Sequence, residues 1–130
     1  MRNCFIPNYQ NPIKKLYNLT GAFCFNDAVE AECIDRNPVG DRNNRIYVNF
    51  FYSFFETSKC SLFTLLSEYK DQLPEGYLPI CDGEPGDLIC ISLKAEDHGK
   101  IYYWHHESPP NNDLFLITDS FEDFFFKIAE

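Results

Sequence analysis

A series of short apolar segments separated by glycine- and acid-rich connectors most limits the folds open to this chain. The segments are Tyr77–Cys81, Leu88–Leu93 and Ile101–Trp104, and the connectors between them are residues 82–87 and 96–100. Gly and Asp in such short connectors favour tight turns. The pattern therefore predicts neighbouring strands that pair as antiparallel hairpins.

The C-terminal residues carry a pattern with a different period. A further strand is predicted at Asp113–Thr118, and Ser120 then stands where it can cap a helix. Glu122 and Asp123 follow in the first turn, where the helix dipole favours negative charge. Apolar residues recur at i, i+3, i+4 and i+7, which predicts an amphipathic terminal helix. These positions are Phe121, Phe124, Phe125 and Ile128.

The first half of the chain gives a weaker pattern. A short helix is predicted after Pro12, ending at Gly21, and a short strand at Phe23–Phe25 precedes a long loop. Residues 45–55 alternate β-branched and aromatic side chains, which predicts a strand buried on much of both faces. A second helix is predicted from the Thr57-Ser58 cap to Asp71.

Length and composition indicate one domain over residues 1–130. A chain of 130 residues with 13 Phe and 8 Tyr can bury a core without disulfides or metals. No apolar run approaches the roughly 20 residues that span a bilayer, so no membrane association is expected. The N-terminal residues lack the apolar stretch of a signal peptide, which favours the cytoplasm.

Six cysteines occur, but none forms a Cys-x-x-Cys pair with another. That spacing argues against a zinc knuckle or a thioredoxin-like redox centre. In a reducing cytoplasm they are expected to be free thiols that pack as small apolar groups. Their positions are Cys4, Cys24, Cys33, Cys60, Cys81 and Cys90.

The negative charge is concentrated in the second half of the chain. Residues 1–65 carry a net charge of +1 and residues 66–130 a net charge of −10, within a total of −9. Such a surplus repels phosphate backbones, so nucleic acid is not expected as a direct ligand. A basic protein is the expected partner.

No motif for catalysis or for a cofactor is present. The chain has neither Gly-x-Ser-x-Gly nor a Cys and His context for a nucleophile. His105 and His106 are adjacent and would point to opposite faces of a strand, so together with His98 they are expected to be structural or surface residues. The acids of residues 82–87 lack the EF-hand order. No metal, cofactor or enzymatic activity is therefore predicted.

The order of several small motifs resembles the SUKH superfamily. The motifs are Leu73–Cys81, the Asp82-Gly83 and Gly86-Asp87 pairs, Gly99–Trp104 and the Ser120-Phe121 helix start, and the match covers about residues 73–128. Upstream the match is thinner, since Pro12 intrudes in the first helix. The resemblance implies an α+β fold, in which helices wrap a mainly antiparallel β-sheet and an amphipathic helix lies at the C terminus.

The same resemblance implies a function through protein contacts. Bacterial members are usually immunity proteins that bind and neutralise toxins, often nucleases, of contact-dependent or other polymorphic toxin systems. Eukaryotic members are regulatory or scaffold proteins, so a protein-binding adaptor is the alternative. A small-ligand or metal-assisted enzyme ranks third among the hypotheses, because the family supplies no catalytic residues.

The acids of the connectors are the candidate partner-binding residues. They would pair with Lys and Arg of a toxin surface, although acids in turns also serve simply to solvate them. Trp104 and Tyr102 are expected to share a core face, with an exposed recognition platform as the alternative. The seven candidate acids are Asp82, Glu84, Asp87, Glu96, Asp97, Glu107 and Asp113.

Overall fold

In a computed structural model of the chain, residues 23–52 and 62–129 are described, and they form one antiparallel sheet with two helices. The six strands are hydrogen-bonded in their sequence order. This is the predicted α+β class with a C-terminal helix. The strands are β1 (Phe23–Glu32), β2 (Arg45–Phe51), β3 (Tyr77–Asp82), β4 (Leu88–Ser92), β5 (Ile101–Trp104) and β6 (Leu114–Thr118), and the helices are α1 (Leu62–Tyr69) and α2 (Phe121–Ala129).

The sheet consists of two well-paired parts with a narrow junction. Strands β1 and β2 pair along most of their length, and β3 to β6 form consecutive antiparallel pairs. Between β2 and β3 the pairing is limited to Phe51 opposite Cys81, with a bond from the Tyr52 N–H to the Ile80 carbonyl. The hairpins predicted from the glycine- and acid-rich connectors are confirmed.

Strand β1 is longer than the sequence pattern predicts. The prediction of a short strand at Phe23–Phe25 followed by a long loop is wrong, because the strand continues to Glu32. Its pairing with β2 shifts register between Cys24 and Val29. The bulge places more residues in β1 than in β2 between these two pairs, which breaks the period of two expected of a regular strand.

The chain that follows β1 crosses to the far edge of the sheet. The Ile34 N–H donates to the Ile117 carbonyl, and the Asp35 N–H donates to the Leu116 carbonyl. The Asp35 carboxylate accepts the Leu116 N–H at 2.9 Å. These bonds bring residues 34–35 against β6, so the sheet curves and encloses a concave face.

Helix α2 fills this concave face. The Ser120 hydroxyl accepts the Asp123 N–H at 3.1 Å, which confirms the predicted cap. Phe124, Phe125 and Ile128 are buried, and the ring of Phe51 lies 6.2 Å from that of Phe124. The helix thus contributes most of its apolar side to the larger core, which also includes Ile46, Val48, Ile89, Ile101, Tyr103 and Ile117.

The opposite face of β3 to β5 carries a second, smaller core under α1. Tyr69 packs edge-on against Trp104 at 5.9 Å, and Leu88 and Cys90 lie beneath them. Tyr102 packs against the same cluster, so it shares a face with Trp104 as predicted. Tyr103 on the other face is also fully buried, so β5 is covered on both sides.

Residues 46–49 of strand β2, by contrast, are buried on one face only. The prediction of burial on both faces is wrong for residues 46–49, because Ile46 and Val48 are buried while Tyr47 and Asn49 are exposed. The larger core beside α2 takes in Ile46 and Val48, whereas the smaller core under α1 is built mainly on β3 to β5.

Some predictions fall outside the described residues. These are the helix between Pro12 and Gly21, the extension of β2 beyond Tyr52 and the cap at Thr57-Ser58. Among the described cysteines, Cys33, Cys81 and Cys90 are buried free thiols. Burial is the main cause that raises the pKa of Cys33 to about 11, which suits a packed rather than a reactive thiol.

Candidate functional site

The seven candidate acids divide between the two ends of the sheet. The pairing of Asp82 with Leu88, and of Leu88 and then Leu114 with Trp104, places the β3–β4 turn beside the β5–β6 loop. This end, formed by residues 82–87 and 105–113, is called the acidic end below. It holds Asp82, Glu84, Asp87, Glu107 and Asp113, whereas Glu96 and Asp97 lie at the opposite end.

Asp87 is an internal residue of the acidic end. Only 3 % of it is exposed. One carboxylate oxygen accepts the Tyr103 hydroxyl at 2.7 Å. The other accepts the His106 backbone N–H at 3.0 Å and lies 2.5 Å from His106 Nδ1. The Asp87 carboxylate therefore joins β5 and the following loop to the β3–β4 turn.

Tyr103 extends this network toward the turn. Its oxygen accepts the Glu84 N–H at 3.0 Å while its hydroxyl donates to Asp87. Burial, reinforced by the hydrogen bond to Asp87, raises the pKa of the Tyr103 phenol, so it remains a proton donor. From β2, the Asn49 side-chain amide donates to the Gly83 carbonyl at 2.8 Å.

The two glycines of the turn are required by this network. A Cβ on Gly83 would lie 2.6 Å from the Tyr103 ring, and one on Gly86 would lie 2.6 Å from the His106 ring. Gly86 also has φ +88°, which disfavours side chains. The Asp82-Gly83 and Gly86-Asp87 pairs thus close the turn tightly on an aromatic strand. Tyr103 and His106 were not expected as partners of Asp87, although a Gly-Asp pair facing an aromatic strand is a usable signal.

Asp113 is also a buried residue with hydrogen bonds inside the fold. It is 6 % exposed, and its carboxylate accepts the Trp104 indole N–H at 2.9 Å. Its carbonyl accepts the His105 N–H at 2.9 Å. His105 Nδ1 in turn lies 2.6 Å from the Ser108 hydroxyl. These bonds hold the start and end of the β5–β6 loop together.

The accessible charge at the acidic end comes from the remaining acids. Glu107 is exposed, and Asp82 and Glu84 are half-buried. The Asp82 carboxylate accepts the Tyr52 hydroxyl. Neither residues 82–87 nor residues 105–113 include a Lys or Arg, so these two segments themselves carry a net negative charge.

The opposite end differs because its acids have basic neighbours. Glu96 is exposed and pairs with Lys94 at 3.4 Å, and Lys100 pairs with Asp119 at 3.6 Å. Asp97 accepts the Ser92 hydroxyl at 2.5 Å and the Tyr102 hydroxyl at 2.7 Å. Burial opposes ionisation of Asp97, but these two bonds outweigh it and lower the pKa of the carboxyl. The two ends therefore offer a partner different electrostatic surfaces.

The described residues offer neither a cluster of metal ligands nor a helix that could span a membrane. Within ranges 23–52 and 62–129, no three His, Cys, Asp or Glu side chains come together as a metal site would require. His106 is turned to Asp87, and its ring lies 6.1 Å from that of His105. No described helix has the length and apolarity to cross a membrane.

Comparison with known proteins identifies related sequences. A family model described as the SMI1 / KNR4 family (SUKH-1) matches residues 11–127. A protein of Bacillus subtilis (strain 168), described as SPbeta prophage-derived uncharacterized protein YokK, is 39% identical over 71 residues. The matched region covers 54% of this chain and 35% of that protein, so the chain spans about a third of the relative's length. No solved structure matches this chain significantly.

Proposed function

This chain belongs to the SMI1/KNR4 (SUKH-1) family, and we propose that it is an immunity protein that binds and neutralises a bacterial toxin. The family match is the observation that carries the proposal, since it spans residues 11–127. The prophage origin stated for the relative suits a gene that moves together with a toxin gene. In this role the chain acts in the cytoplasm by binding alone, without catalysis.

The acidic end supports the choice of a basic partner. Glu107 is exposed there and Glu84 is half-buried, and neither residues 82–87 nor residues 105–113 include a Lys or Arg. Beneath them, the Asp87 network fixes the turn and the loop relative to each other. A rigid acidic surface of this kind complements the basic groove with which a nuclease toxin holds its substrate, and its docking there would exclude the substrate.

The accessible acids are expected to act mainly on the rate of association. Exposed charges contribute little to affinity one by one, because water and salt screen them. Together they steer a basic partner, and steering raises association rates by roughly 10- to 1000-fold at low salt. Screening shortens the range of this attraction from roughly 10 Å at 0.1 M salt to about 3 Å at 1 M.

We expect Glu107→Lys to slow association with the toxin several-fold, and high salt to abolish the difference from the unmodified chain. The probe is the product of the gene immediately upstream, immobilised for biosensor measurements at about 0.1 M and about 1 M salt. Glu96→Lys is the matched control, since Glu96 is also exposed but lies at the opposite end beside Lys94. An association rate that does not change with salt concentration, or an equal decrease in this rate for both variants, would contradict binding through the acidic end.

A further inference from the structure

Two exposed apolar side chains line one groove between α2 and the chain that crosses to β6. Ile34 is 54% exposed and Phe126 is 48% exposed, and both border a cavity of about 250 Å³. We call it the Ile34–Phe126 groove. It is lined by Ile34, Thr118, Asp119, Asp123, Phe126 and Lys127.

Hydrogen bonds on both sides of Ile34 hold it in place. The Asn44 side-chain amide donates to the carbonyls of Cys33 and Asp35, at 3.0 and 2.8 Å. The Ile34 N–H donates to the Ile117 carbonyl at 3.2 Å. The exposed isoleucine therefore stands on a fixed backbone, and a partner would not have to order it on binding.

Phe126 is not part of the larger core that α2 forms with the sheet. Phe124 and Phe125 are buried against the sheet, while Phe126 lies on the outer side of α2. A single exposed apolar residue needs no explanation. Two large ones that share one groove, with charged side chains around them, form an apolar patch with a polar rim, which is typical of an interaction site.

The charges around the groove define the partner's chemistry. The Lys127 ammonium is bound to the Glu32 carbonyl at 3.2 Å, and Asp119 pairs with Lys100. Asp123 has no ion pair with any residue in the described ranges, and only its backbone N–H is used in the helix cap. Its carboxylate is thus available beside an apolar wall. The Asp123 carboxylate can therefore pair with a Lys or Arg next to an apolar side chain seated between Ile34 and Phe126, while the Lys127 ammonium is held at the Glu32 carbonyl.

We propose that the Ile34–Phe126 groove is a second contact with the partner, and that it receives an apolar residue flanked by basic ones. This inference rests on the proposed function, because it assumes a basic protein partner. A larger cavity of about 330 Å³ near Leu73 and Leu93 indicates no such chemistry, since it is bordered by one Lys and one Glu.

The test uses short peptides in place of the toxin. The full chain, labelled with ¹⁵N, is titrated with a blocked Arg-Leu-Arg peptide, followed by NMR, with Glu-Leu-Glu and Arg-Gly-Arg peptides as comparisons. We expect Arg-Leu-Arg to shift the amides of Ile34, Thr118 and Phe126, and the other two peptides to bind at least about five-fold more weakly. Equal binding by the three peptides, or shifts confined to other residues, would overturn the proposal.

Two variants assign the effect to the groove. Phe126→Ala and Asp123→Lys are each expected to weaken Arg-Leu-Arg binding by about five-fold or more, because they remove the apolar wall and the carboxylate. Glu122→Lys is the control for the helix turn, as it changes a neighbouring exposed acid that does not line the groove. If Glu122→Lys weakens binding as much as Asp123→Lys, the site is wrong. Since no toxin is present, peptide binding is decided independently of whether the chain neutralises one.

Discussion

Replacing Phe124 with alanine is expected to lower the free energy of unfolding by about 3 to 5 kcal/mol. Phe124 is fully buried between α2 and the concave face, where it packs against Phe51 and Phe121. The substitution removes a whole aromatic ring from the core between the sheet and α2, so the cavity cannot collapse completely. A loss of this size is a large fraction of a domain's net stability, which is about 5 to 15 kcal/mol.

Urea unfolding followed by circular dichroism measures this loss. Phe126→Ala is the matched control, because the same residue type two positions along α2 is half exposed and should cost less than about 1 kcal/mol. A stop codon before Ser120 removes α2 altogether, and no cooperative transition is expected. If Phe124→Ala and Phe126→Ala unfold at the same urea concentration, α2 does not complete the core.

The second large effect is expected at Asp87. Asp87→Ala should cost about 2 to 4 kcal/mol, because it leaves the buried Tyr103 hydroxyl and the His106 backbone N–H without their acceptor. Asp87→Asn should lose less, as the amide retains one acceptor oxygen. Glu107→Ala is the control, since Glu107 is an exposed acid on the adjoining loop and should stay within about 0.5 kcal/mol of the unmodified chain.

The same variants separate the structural role of Asp87 from a role in partner contact. Thermal and urea unfolding give the stability of each variant, and toxin binding is then measured at a temperature where all are folded. We expect Asp87→Asn, once folded, to bind nearly as well as the unmodified chain. Full stability of Asp87→Ala together with lost binding would contradict the network and make Asp87 a direct contact.

Much of the fold follows from local patterns in the sequence. The apolar period of Phe121 to Ile128 and the Ser120 cap define α2, and the glycine-containing connectors define the hairpins from β3 to β5. Strand β1 is longer than the pattern predicts, although buried Ala31 and Cys33 stand on either side of the exposed Glu32 at its end. A bulge is a local irregularity, and it conceals such an alternation from any pattern of fixed period.

The site depends on register, which local patterns do not define. The seven acids are of two chemically similar types, but Asp87 and Asp113 turn inward because Tyr103 and Trp104 lie opposite them with donors at the right distance. The groove between Ile34 and Phe126 is less predictable still. Its two apolar residues are far apart in the chain and meet only because residues 34–35 cross to β6.

The central claim is that this chain neutralises a toxin by binding it. The most direct measurement is growth of a heterologous bacterial host that expresses the product of the gene immediately upstream, with and without co-expression of this chain. We predict that growth stops without the chain and is restored with it, and that the two proteins copurify. Copurification without restored growth would instead support an adaptor, and a toxic upstream protein that neither binds this chain nor is silenced by it would contradict the account.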